Sequence, residues 1–507
     1  MIESRASICA VITENSVESA IRAIGRAAAA ADFIELRLDY LRDFDFTNSA
    51  RLLPLLQDKP RPVIITCRAI SEGGKQAVDD DTRLGLLVEG ARQMADYCDI
   101  EAAYYDAALK FRPDLSKLIV SYHNFHETPS GLNRIYDRVT GLRAAIHKIV
   151  TRAGSITDSL AIFRLLDRAH NEGRSLIALA MQEPGLITRI LGPSRGGFLT
   201  YAALERGRES APGQPGCEEM RDLYRANRLT RDTAITGIIG KPVAHSASPA
   251  MHNRAFKSLG LDFVYLPLEV ENVDEFFKRF VRHDTREMDW NVRGFSVTIP
   301  HKTRVIPLLD EIDKEASLVG AVNTVVISEG RLKGHNTDVK GAIEPLEKVC
   351  RVDGESCGVI GAGGAARAVI YGLISRGARV TVFARDPIKA RALGESLGVS
   401  VAPLESLRSS DVQIIINTTP VGMHGHSEHL SPVPRPVLRN RRVAYDLVYN
   451  PLETQFLKDA RDEGCHTISG IEMLIAQAAL QFALWTGQQP PLDLMRRAAL
   501  DKLSGRV

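Results

Sequence analysis

The sequence has no appreciable excess of charge of either sign and no long apolar run. Its 64 lysines and arginines are balanced by 62 aspartates and glutamates, and the net charge of +2 gives no sign of a nucleic-acid-binding surface. No apolar run approaches the roughly 18 residues of a membrane span, and the first residues lack a charged-then-apolar signal pattern. These absences argue against nucleic-acid and membrane partners and leave small molecules as the expected ligands.

Cysteine is also scarce, and its spacing excludes two classes of site. The seven cysteines, at positions 9, 67, 98, 217, 350, 357 and 465, never form a C-x-x-C pair. Zinc sites and disulfide frameworks need closely or regularly spaced cysteines, and neither spacing occurs here. We therefore expect reduced thiols in a cytoplasmic protein and no bound metal.

The length of 507 residues implies about three domains, and the first 200 residues show a regular alternation. Short β-rich runs are separated by longer stretches with a helical pattern. These runs are residues 7–12, 33–38, 62–68, 97–102, 117–123, 144–150, 175–181 and 198–204. Eight strands alternating with helices predict a small (β/α)8 TIM barrel, with a doubly wound open sheet as the alternative.

Polar residues fall at the ends of several predicted strands, where a barrel would gather them at one mouth. His123 and Lys148 lie on neighbouring strands. A lysine attacks a ketone as the free amine and forms an imine, which acidifies the adjacent carbon for removal of a proton by a histidine. Arginines near the same mouth suit a substrate carboxylate. The pattern predicts β-elimination of water from a hydroxy-ketone acid, although each residue alone is also compatible with an ordinary solvated side chain.

The first half resembles the type I 3-dehydroquinate dehydratases along essentially its whole length. The matching motifs are E-L-R (35–37), T-C-R-x-x-x-E-G-G (66–74), S-Y-H-N-F-x-x-T-P (121–129), H-K-I (147–149), M-x-x-x-G-x-x-x-R (181–189) and S-A-P-G-Q (210–214). The resemblance implies that Lys148 forms the Schiff base, that His123 is the general base, and that Glu35 supports His123. It also implies that the substrate is held by Arg37, Arg68, Arg189, Ser210 and Gln214.

The second half contains a glycine-rich turn between a predicted strand and helix. G-A-G-G-A-A (361–366) fits G-x-G-x-x-A within a βαβ unit, where backbone N–H groups at the helix start bind a pyrophosphate. The next strand ends at Arg385 and Asp386. Because an arginine suits the 2′-phosphate of NADP and an acid suits a free ribose, the pair favours NADP and leaves NAD as the alternative.

Two further motifs precede that unit. Ser246 and Ser248 flank a turn before a predicted helix and suit either a carboxylate ligand or a simple helix cap. Lys302 and Asp338 could form a pair that transfers a proton to an alkoxide, or a structural salt bridge.

Residues 234–505 resemble the shikimate dehydrogenases. The matching motifs are H-S-A-S-P-A-M-H-N (245–253), G-F-S-V-T-I-P-H-K (294–302), G-A-V-N-T (320–324), G-H-N-T-D-V-K-G (334–341), N-T-T-P-V-G-M (417–423), D-L-V-Y-N-P (446–451) and G-I-E-M-L-I-A-Q (470–477). The resemblance implies a substrate site of Ser246, Ser248, Thr298, Asn323, Asp338, Tyr449 and Gln477, with Lys302 and Asp338 handling the proton. It implies a cofactor site of Gly361, Gly363, Gly364, Arg385, Met423 and Gly470. Ser296 replaces a usual Asn, as in the fused plant enzymes, and A-R-D (384–386) replaces a usual N-R-T.

The two resemblances predict four segments and a two-step function. The segments are a barrel (1–230), a substrate-binding domain (231–342), a Rossmann domain (343–469) and returning C-terminal helices (470–507). The predicted reactions convert 3-dehydroquinate to 3-dehydroshikimate and then, with NADPH, to shikimate. The alternatives are a barrel fused to an NAD-dependent quinate/shikimate dehydrogenase of catabolism, and a non-enzymatic quinate-pathway regulator. The oligomeric state is left open.

Overall fold

A computed structural model describes residues 7–57, 59–425 and 427–505. The chain forms two compact units. One comprises the residues up to Ile235 together with Leu268–Asn291, and the other comprises Thr236–Pro267 together with the residues from Val292 onward. No helix in the described ranges has the length and apolar character needed to cross a membrane.

The first unit contains eight parallel strands. They are β1 (Ser7–Ile12), β2 (Phe33–Arg37), β3 (Val63–Thr66), β4 (Tyr97–Glu101), β5 (Leu118–His123), β6 (Ile146–Arg152), β7 (Leu176–Met181) and β8 (Leu199–Ala203). Their order is β7-β6-β5-β4-β3-β2-β1-β8. A parallel bridge between Leu176 and Gly197 brings the two ends of this order together. The sheet therefore closes almost completely into the predicted barrel, and the open doubly wound alternative was wrong.

Helices alternate with these strands. They are α1 (Val17–Ala30), α2 (Leu53–Leu56), α3 (Asp80–Gln93), α4 (Tyr105–Leu109), α5 (Leu132–Thr140), α6 (Ser159–Asn171) and α7 (Leu186–Leu191). The side chain of Ser16 caps α1 by accepting a hydrogen bond from the N–H of Ser19. Ala20, Ala23 and Ile24 recur at helical spacing and are buried, so that this face packs against the sheet.

The period-two alternation of the strands decides which side chains enter the barrel. On β6 the residues Ile146, Lys148 and Val150 share one face, and the two apolar members belong to the barrel's interior cluster. Because successive strand residues point to opposite faces, Lys148 must also point inward. The barrel therefore holds an apolar base and a polar upper part, where the site is built.

The elements from residue 234 to 347 include a six-stranded mixed sheet. Its strands are β9 (Ala234–Gly240), β10 (Phe263–Glu269), β11 (Val292–Val297), β12 (Glu311–Ile312), β13 (Thr324–Ser328) and β14 (Arg331–His335), in the order β10-β9-β11-β13-β14-β12. The helices are α8 (Ser248–Ser258), α9 (Val273–Phe276), α10 (Lys314–Val319) and α11 (Thr337–Glu347).

The following elements form a parallel Rossmann sheet. Its strands are β15 (Ser356–Ile360), β16 (Arg379–Ala384), β17 (Ser400–Pro403), β18 (Ile414–Asn417), β19 (Val443–Asp446) and β20 (His466–Ile468), in the order β17-β16-β15-β18-β19-β20. The helices are α12 (Gly364–Ile374), α13 (Pro387–Leu397) and α14 (Gln455–Asp462), followed by α15 (Gly470–Thr486) and α16 (Leu492–Leu503). Phe482 of α15 packs with Met251 and Phe256 of α8, so α15 lies against α8.

Candidate active sites

The barrel encloses a cavity of about 70 Å³ at the carboxyl ends of its strands. All eight predicted first-site residues line it, although they come from six different parts of the chain. They are Glu35, Arg37, Arg68, His123, Lys148, Arg189, Ser210 and Gln214. The convergence follows from barrel topology, since parallel strands deliver their carboxyl ends to one mouth.

Lys148 is enclosed by two carboxylates and an aromatic ring. Its Nζ lies 2.9 Å from Asp99 Oδ2 and 3.6 Å from Glu35 Oε1. The same atom lies 4.2 Å from the centroid of the Tyr201 ring. Negative charge and a ring face both stabilise a cation, so this environment can hold a positively charged nitrogen on the lysine.

Asp99 is fully buried and is the central anion of the site. Arg68 contacts it at 3.0 Å, and Ser121 donates a hydrogen bond to it at 2.6 Å. Burial alone would raise the pKa of Asp99, but the positive charges of Arg68 and Lys148 outweigh burial and hold its pKa well below the usual range. The carboxylate therefore stays ionised beside Lys148 at neutral pH.

His123 has a carboxylate partner that the sequence interpretation missed. Its Nδ1 lies 2.8 Å from Oε2 of Glu72, whereas Glu35 accepts a hydrogen bond from Thr66 and lies near Lys148. The prediction that Glu35 supports His123 was therefore wrong, because Glu35 lies on β2 and faces the lysine. Glu72 follows β3 in the T-C-R-x-x-x-E-G-G motif, so its signal was present in the sequence.

The electrostatics of this pair suit proton transfer. Burial, followed by the positive charges of Arg68 and Lys148, lowers the pKa of His123 well below its ordinary value. The imidazole is therefore neutral at physiological pH and can accept a proton. Burial raises the pKa of Glu72 to about 7.

Arg189 is the clearest anion-binding group in the cavity. It is 1% exposed, and its Nε and Nη2 atoms have no hydrogen-bond partner. Burial lowers its pKa to about 10, which still leaves it charged at neutral pH. A buried cation with unused donors is costly unless a ligand satisfies it, and a carboxylate matches the guanidinium geometry. Nearby, Ser210 donates its hydroxyl to Gln214 Oε1 at 3.1 Å.

The second unit contains a separate cavity of about 200 Å³. Every predicted substrate residue of the dehydrogenase half lines it, together with Lys302 and Gly470. These substrate residues are Ser246, Ser248, Thr298, Asn323, Asp338, Tyr449 and Gln477. Lys302 Nζ lies 2.5 Å from Asp338 Oδ2, and Asn323 donates to Asp338 Oδ1 at 2.7 Å. The carboxylate is thus fixed on both oxygens, which orients the lysine toward the cavity.

A buried hydroxyl and amide chain forms one wall of this cavity. Tyr265 donates to Ser296 Oγ at 2.7 Å, and Ser296 donates to Gln481 Oε1 at 2.7 Å. Gln481 in turn donates a hydrogen bond from Nε2 to Thr324 Oγ1 at 3.0 Å. Gln481 was not among the predicted site residues, although it follows Gln477 by one helical turn on α15 and therefore shares its face.

A groove of about 450 Å³ lies beside the glycine-rich turn of the Rossmann sheet. Gly361 has φ of +112°, and a Cβ there would lie 2.8 Å from Thr418 Oγ1. A side chain at this position would therefore be strained and would clash with the wall of the groove. The turn leads directly into the eleven-residue helix α12, and the first N–H groups of a helix lack intrahelical partners and suit an anion. The arrangement fits a dinucleotide pyrophosphate.

The other predicted cofactor residues are distributed around this groove. Gly363 and Arg385 line it, Gly364 begins α12, and Gly470 lines the substrate cavity instead. Met423 is 39% exposed and lines neither cavity. Among the described residues, no group of three or more His, Cys, Asp or Glu side chains is placed to hold a metal ion.

Asp386, the acid beside Arg385, lies at the start of helix α13. Its Oδ1 accepts a hydrogen bond from the N–H of Ile388 at 3.1 Å, in the first turn of that helix. The carboxylate therefore has a structural role as a local cap. Arg385 has no such role among the described contacts of this turn, and it lines the groove.

Family models match successive parts of the chain. The type I 3-dehydroquinase model matches residues 8–230, and the shikimate dehydrogenase substrate binding domain matches residues 238–325. The shikimate 5′-dehydrogenase C-terminal domain matches residues 470–500. Residues 356–426 match a model described as NADP oxidoreductase, coenzyme F420-dependent.

Known proteins match the same two halves. A bifunctional 3-dehydroquinate dehydratase/shikimate dehydrogenase of Arabidopsis thaliana, named as chloroplastic, is 35% identical over 97% of this chain and 84% of its own. A shikimate dehydrogenase (NADP(+)) of Carboxydothermus hydrogenoformans is 42% identical over 54% of this chain and 98% of its own. A crystal structure of a shikimate dehydrogenase in complex with NADP+ is 40% identical, with a TM-score of 0.51 over 54% of this chain and 97% of that one. The two cavities and the full-length likeness together show that this chain belongs to the family of bifunctional 3-dehydroquinate dehydratase/shikimate dehydrogenases of the shikimate pathway.

Proposed function

We propose that the barrel cavity dehydrates 3-dehydroquinate through an imine on Lys148. The observation that carries this proposal is that Lys148, the neutral base His123 and Arg189, with two unpaired donor nitrogens, line one cavity. Arg189 would pair with the substrate carboxylate, and Ser210 and Gln214 would hold hydroxyls at the same wall. These contacts fix the ketone carbon beside the lysine nitrogen.

The proposed dehydration needs only the substrate, water and the side chains of Lys148 and His123. The Lys148 nitrogen adds to the ketone carbon, and loss of one water leaves an iminium. His123 removes a proton from the adjacent carbon, and the electron pair forms the new C=C bond as the hydroxyl one carbon further leaves. His123 returns its proton to that hydroxyl, so water departs, and hydrolysis of the iminium releases 3-dehydroshikimate. Lys148 attacks as the free amine, and the proton that its ammonium gives up leaves with the carbonyl oxygen as water. Asp99 therefore faces a positive nitrogen before the attack and again in the iminium.

We propose that the second cavity reduces 3-dehydroshikimate to shikimate. NADPH, held along the groove at Gly361 and Gly363, supplies the hydride when bound. Ser246 and Ser248 would bind the substrate carboxylate, and Asn323, Thr298, Tyr449 and Gln477 its hydroxyls. Lys302, paired with Asp338, would deliver the proton to the carbonyl oxygen as it becomes a hydroxyl.

We propose NADP rather than NAD as the preferred cofactor. Arg385 lines the groove, and the neighbouring Asp386 is occupied at the start of α13. An arginine at this strand end suits a 2′-phosphate, and two of the three relatives named above carry NADP in their name or structure. A comparison of kcat/KM for NADPH and NADH, and for shikimate and quinate in the reverse direction, separates this proposal from an NAD-dependent catabolic dehydrogenase.

One coupled assay tests both activities. Purified protein is mixed with 3-dehydroquinate and NADPH, and absorbance is followed for the enone and for NADPH consumption. The proposal expects the enone to appear first and NADPH to fall afterwards. An enone without NADPH consumption would remove the second function. If neither signal appears, and borohydride traps no imine, the non-enzymatic regulator becomes the better interpretation.

We also propose a reducing compartment such as the cytoplasm. The seven cysteines are free in the structure, and six of them are buried, which suits a protein that folds without disulfides. Tagging the protein in its own cells and fractionating them tests the location. Recovery in an oxidising compartment would contradict the proposal.

A further inference from the structure

The carboxylate of Asp446, at the end of strand β19, joins three segments of the second unit. It is fully buried. Its Oδ1 accepts hydrogen bonds from Asn417 Nδ2 at 2.9 Å and from the N–H of Val448 at 3.0 Å. Its Oδ2 accepts from Thr454 Oγ1 at 2.6 Å. One side chain thus ties the end of β18, the loop after β19 and the start of helix α14.

The segment after β18 forms a wall of the cofactor groove. Asn417 uses its Oδ1 to accept from the N–H of Thr419 at 3.0 Å and from its hydroxyl at 2.7 Å. Thr418, Thr419 and Val421 all line the groove. The conformation of this wall therefore depends on the side chain of Asn417, whose amide is held in turn by Asp446.

The segment after β19 forms a wall of the substrate cavity. Leu447 and Tyr449 line that cavity, and Val448 between them is anchored to Asp446 through its N–H. A further bond links the two loops directly, from the N–H of His424 to the carbonyl of Asn450 at 2.9 Å. The same carboxylate therefore holds one wall of each cavity.

Burial of a carboxylate at position 446 is energetically unfavourable. The three donors are neutral groups, and burial raises the pKa of Asp446 to about 6 against the opposing effect of these hydrogen bonds. Burying a charge without an opposite charge is unfavourable, so stability alone gives little reason for an aspartate here. A short carboxylate does offer two oxygens that can accept several hydrogen bonds in fixed directions.

We propose that Asp446 is a positioning residue that sets the cofactor loop (418–421) against the substrate loop (447–450) in the dehydrogenase half. It lines neither the groove nor the substrate cavity and acts through Asn417 and the N–H of Val448. The inference rests on the proposed reduction of 3-dehydroshikimate. It predicts that one substitution at Asp446 weakens both ligands and slows the transfer between them.

The test uses the full chain with Asp446→Ala. Calorimetric titration measures the Kd of NADP+ and of shikimate separately, and stopped-flow measures the primary isotope effect with deuterated NADPH. Leaving buried donors without an acceptor disturbs both loops, so we expect each Kd to rise roughly tenfold. We also expect the isotope effect on kcat to increase, because transfer becomes slower than product release. The dehydratase rate, measured on the same sample, should stay within about twofold, since the barrel site uses none of these residues.

Three further variants make the result decisive. Asp446→Asn keeps an acceptor oxygen for Asn417 and Val448, and should restore both Kd values to within about threefold. Asn417→Ala should raise the Kd of NADP+ more than that of shikimate, which keeps the test valid if Asp446→Ala fails to fold. Leu438→Ala removes buried apolar contacts in the same sheet region without touching either loop, and should lower Tm only.

Two outcomes are distinguishable. If the Asp446→Ala protein has a lower Tm but unchanged Kd values and isotope effect, Asp446 is merely structural and the inference is overturned. If the unmodified protein binds NADP+ and shikimate but does not reduce 3-dehydroshikimate, the proposed function fails, and the two Kd values still decide the role of Asp446.

Discussion

The two halves of the chain each use a lysine beside an aspartate, but the surroundings of the two pairs differ. In the barrel, Lys148 and Asp99 are 2.9 Å apart, with side chains 5% and 0% exposed. In the dehydrogenase half, Lys302 and Asp338 are 2.5 Å apart, with side chains 20% and 7% exposed. The barrel cavity is about 70 Å³, whereas the dehydrogenase cavity is about 200 Å³ and has the cofactor groove as its neighbour in the same unit.

The role of each lysine therefore depends on the groups around the lysine–aspartate pair and not on the pair alone. Lys148 is surrounded by a second carboxylate, Glu35, and the ring of Tyr201, which together accept a positive nitrogen whether it is an ammonium or an iminium. Lys302 has a carboxylate fixed by an amide and more access to the cavity, which suits the transfer of a proton to a substrate oxygen. The first lysine can bond to the substrate, and the second only needs to reach it.

The largest expected effect comes from removing the covalent lysine. Lys148→Ala should lower dehydration of 3-dehydroquinate on the order of 10⁴-fold or more, because the nucleophile has no substitute in the cavity. Reduction of supplied 3-dehydroshikimate should be unchanged. The two rates are measured on one sample by enone absorbance and by NADPH oxidation.

A mass measurement sharpens this prediction. Borohydride with 3-dehydroquinate should attach the substrate to the unmodified protein and to Lys302→Ala, but not to Lys148→Ala. Loss of both activities in Lys148→Ala would contradict independent sites. An adduct that persists in Lys148→Ala would place the imine on another lysine and would contradict the assignment of Lys148 as the nucleophile.

Substitution of Lys302 should have a smaller effect than that of Lys148 and should affect reduction instead of dehydration. Lys302→Ala removes a proton donor but not the hydride source, so reduction should fall by about 10²- to 10⁴-fold in kcat, with dehydration unchanged. The matched control is Lys340→Ala, an exposed lysine of the following helix α11, which should leave both rates within about twofold. An equal loss in the control would show that the effect of Lys302→Ala is not specific to its position.

The sequence was sufficient for the strands and for the residues in compact motifs. The eight predicted β-rich runs match the barrel strands to within two residues at each end, because each run is short, β-rich and bounded by turn residues. Asp99 and Tyr201 were missed, since neither belongs to a motif and the face of a strand depends on register. The partner of His123 was misassigned for a related reason: contacts across a barrel join residues far apart in sequence.

The third prediction, with a smaller expected effect, compares the use of NADPH with that of NADH. Arg385→Ala should lower kcat/KM for NADPH by about 10- to 100-fold, the effect of losing one charged hydrogen-bonding group. NADH lacks the 2′-phosphate, so its kcat/KM should change by less than about twofold, and dehydration should not change. Asp386→Asn keeps an acceptor for the start of α13 and serves as the matched control. A parallel loss with both cofactors would show that Arg385 supports the fold of the groove rather than the phosphate.

The smallest expected effect is the pH dependence of dehydration, which we expect to follow the His123–Glu72 pair. Burial raises the pKa of Glu72 to about 7, whereas that of His123 is lowered well below its ordinary value. Above pH 7 the Glu72 carboxylate accepts the Nδ1–H of His123 and leaves Nε2 free to take a proton. Below pH 7 the carboxyl is protonated and this orientation is lost, so kcat/KM for dehydration should be roughly fivefold lower at pH 6 than at pH 7. Glu72→Gln should be less active but flat over this range. If the variant keeps the same rise, His123 or another group titrates there, and the carboxylate does not orient the base.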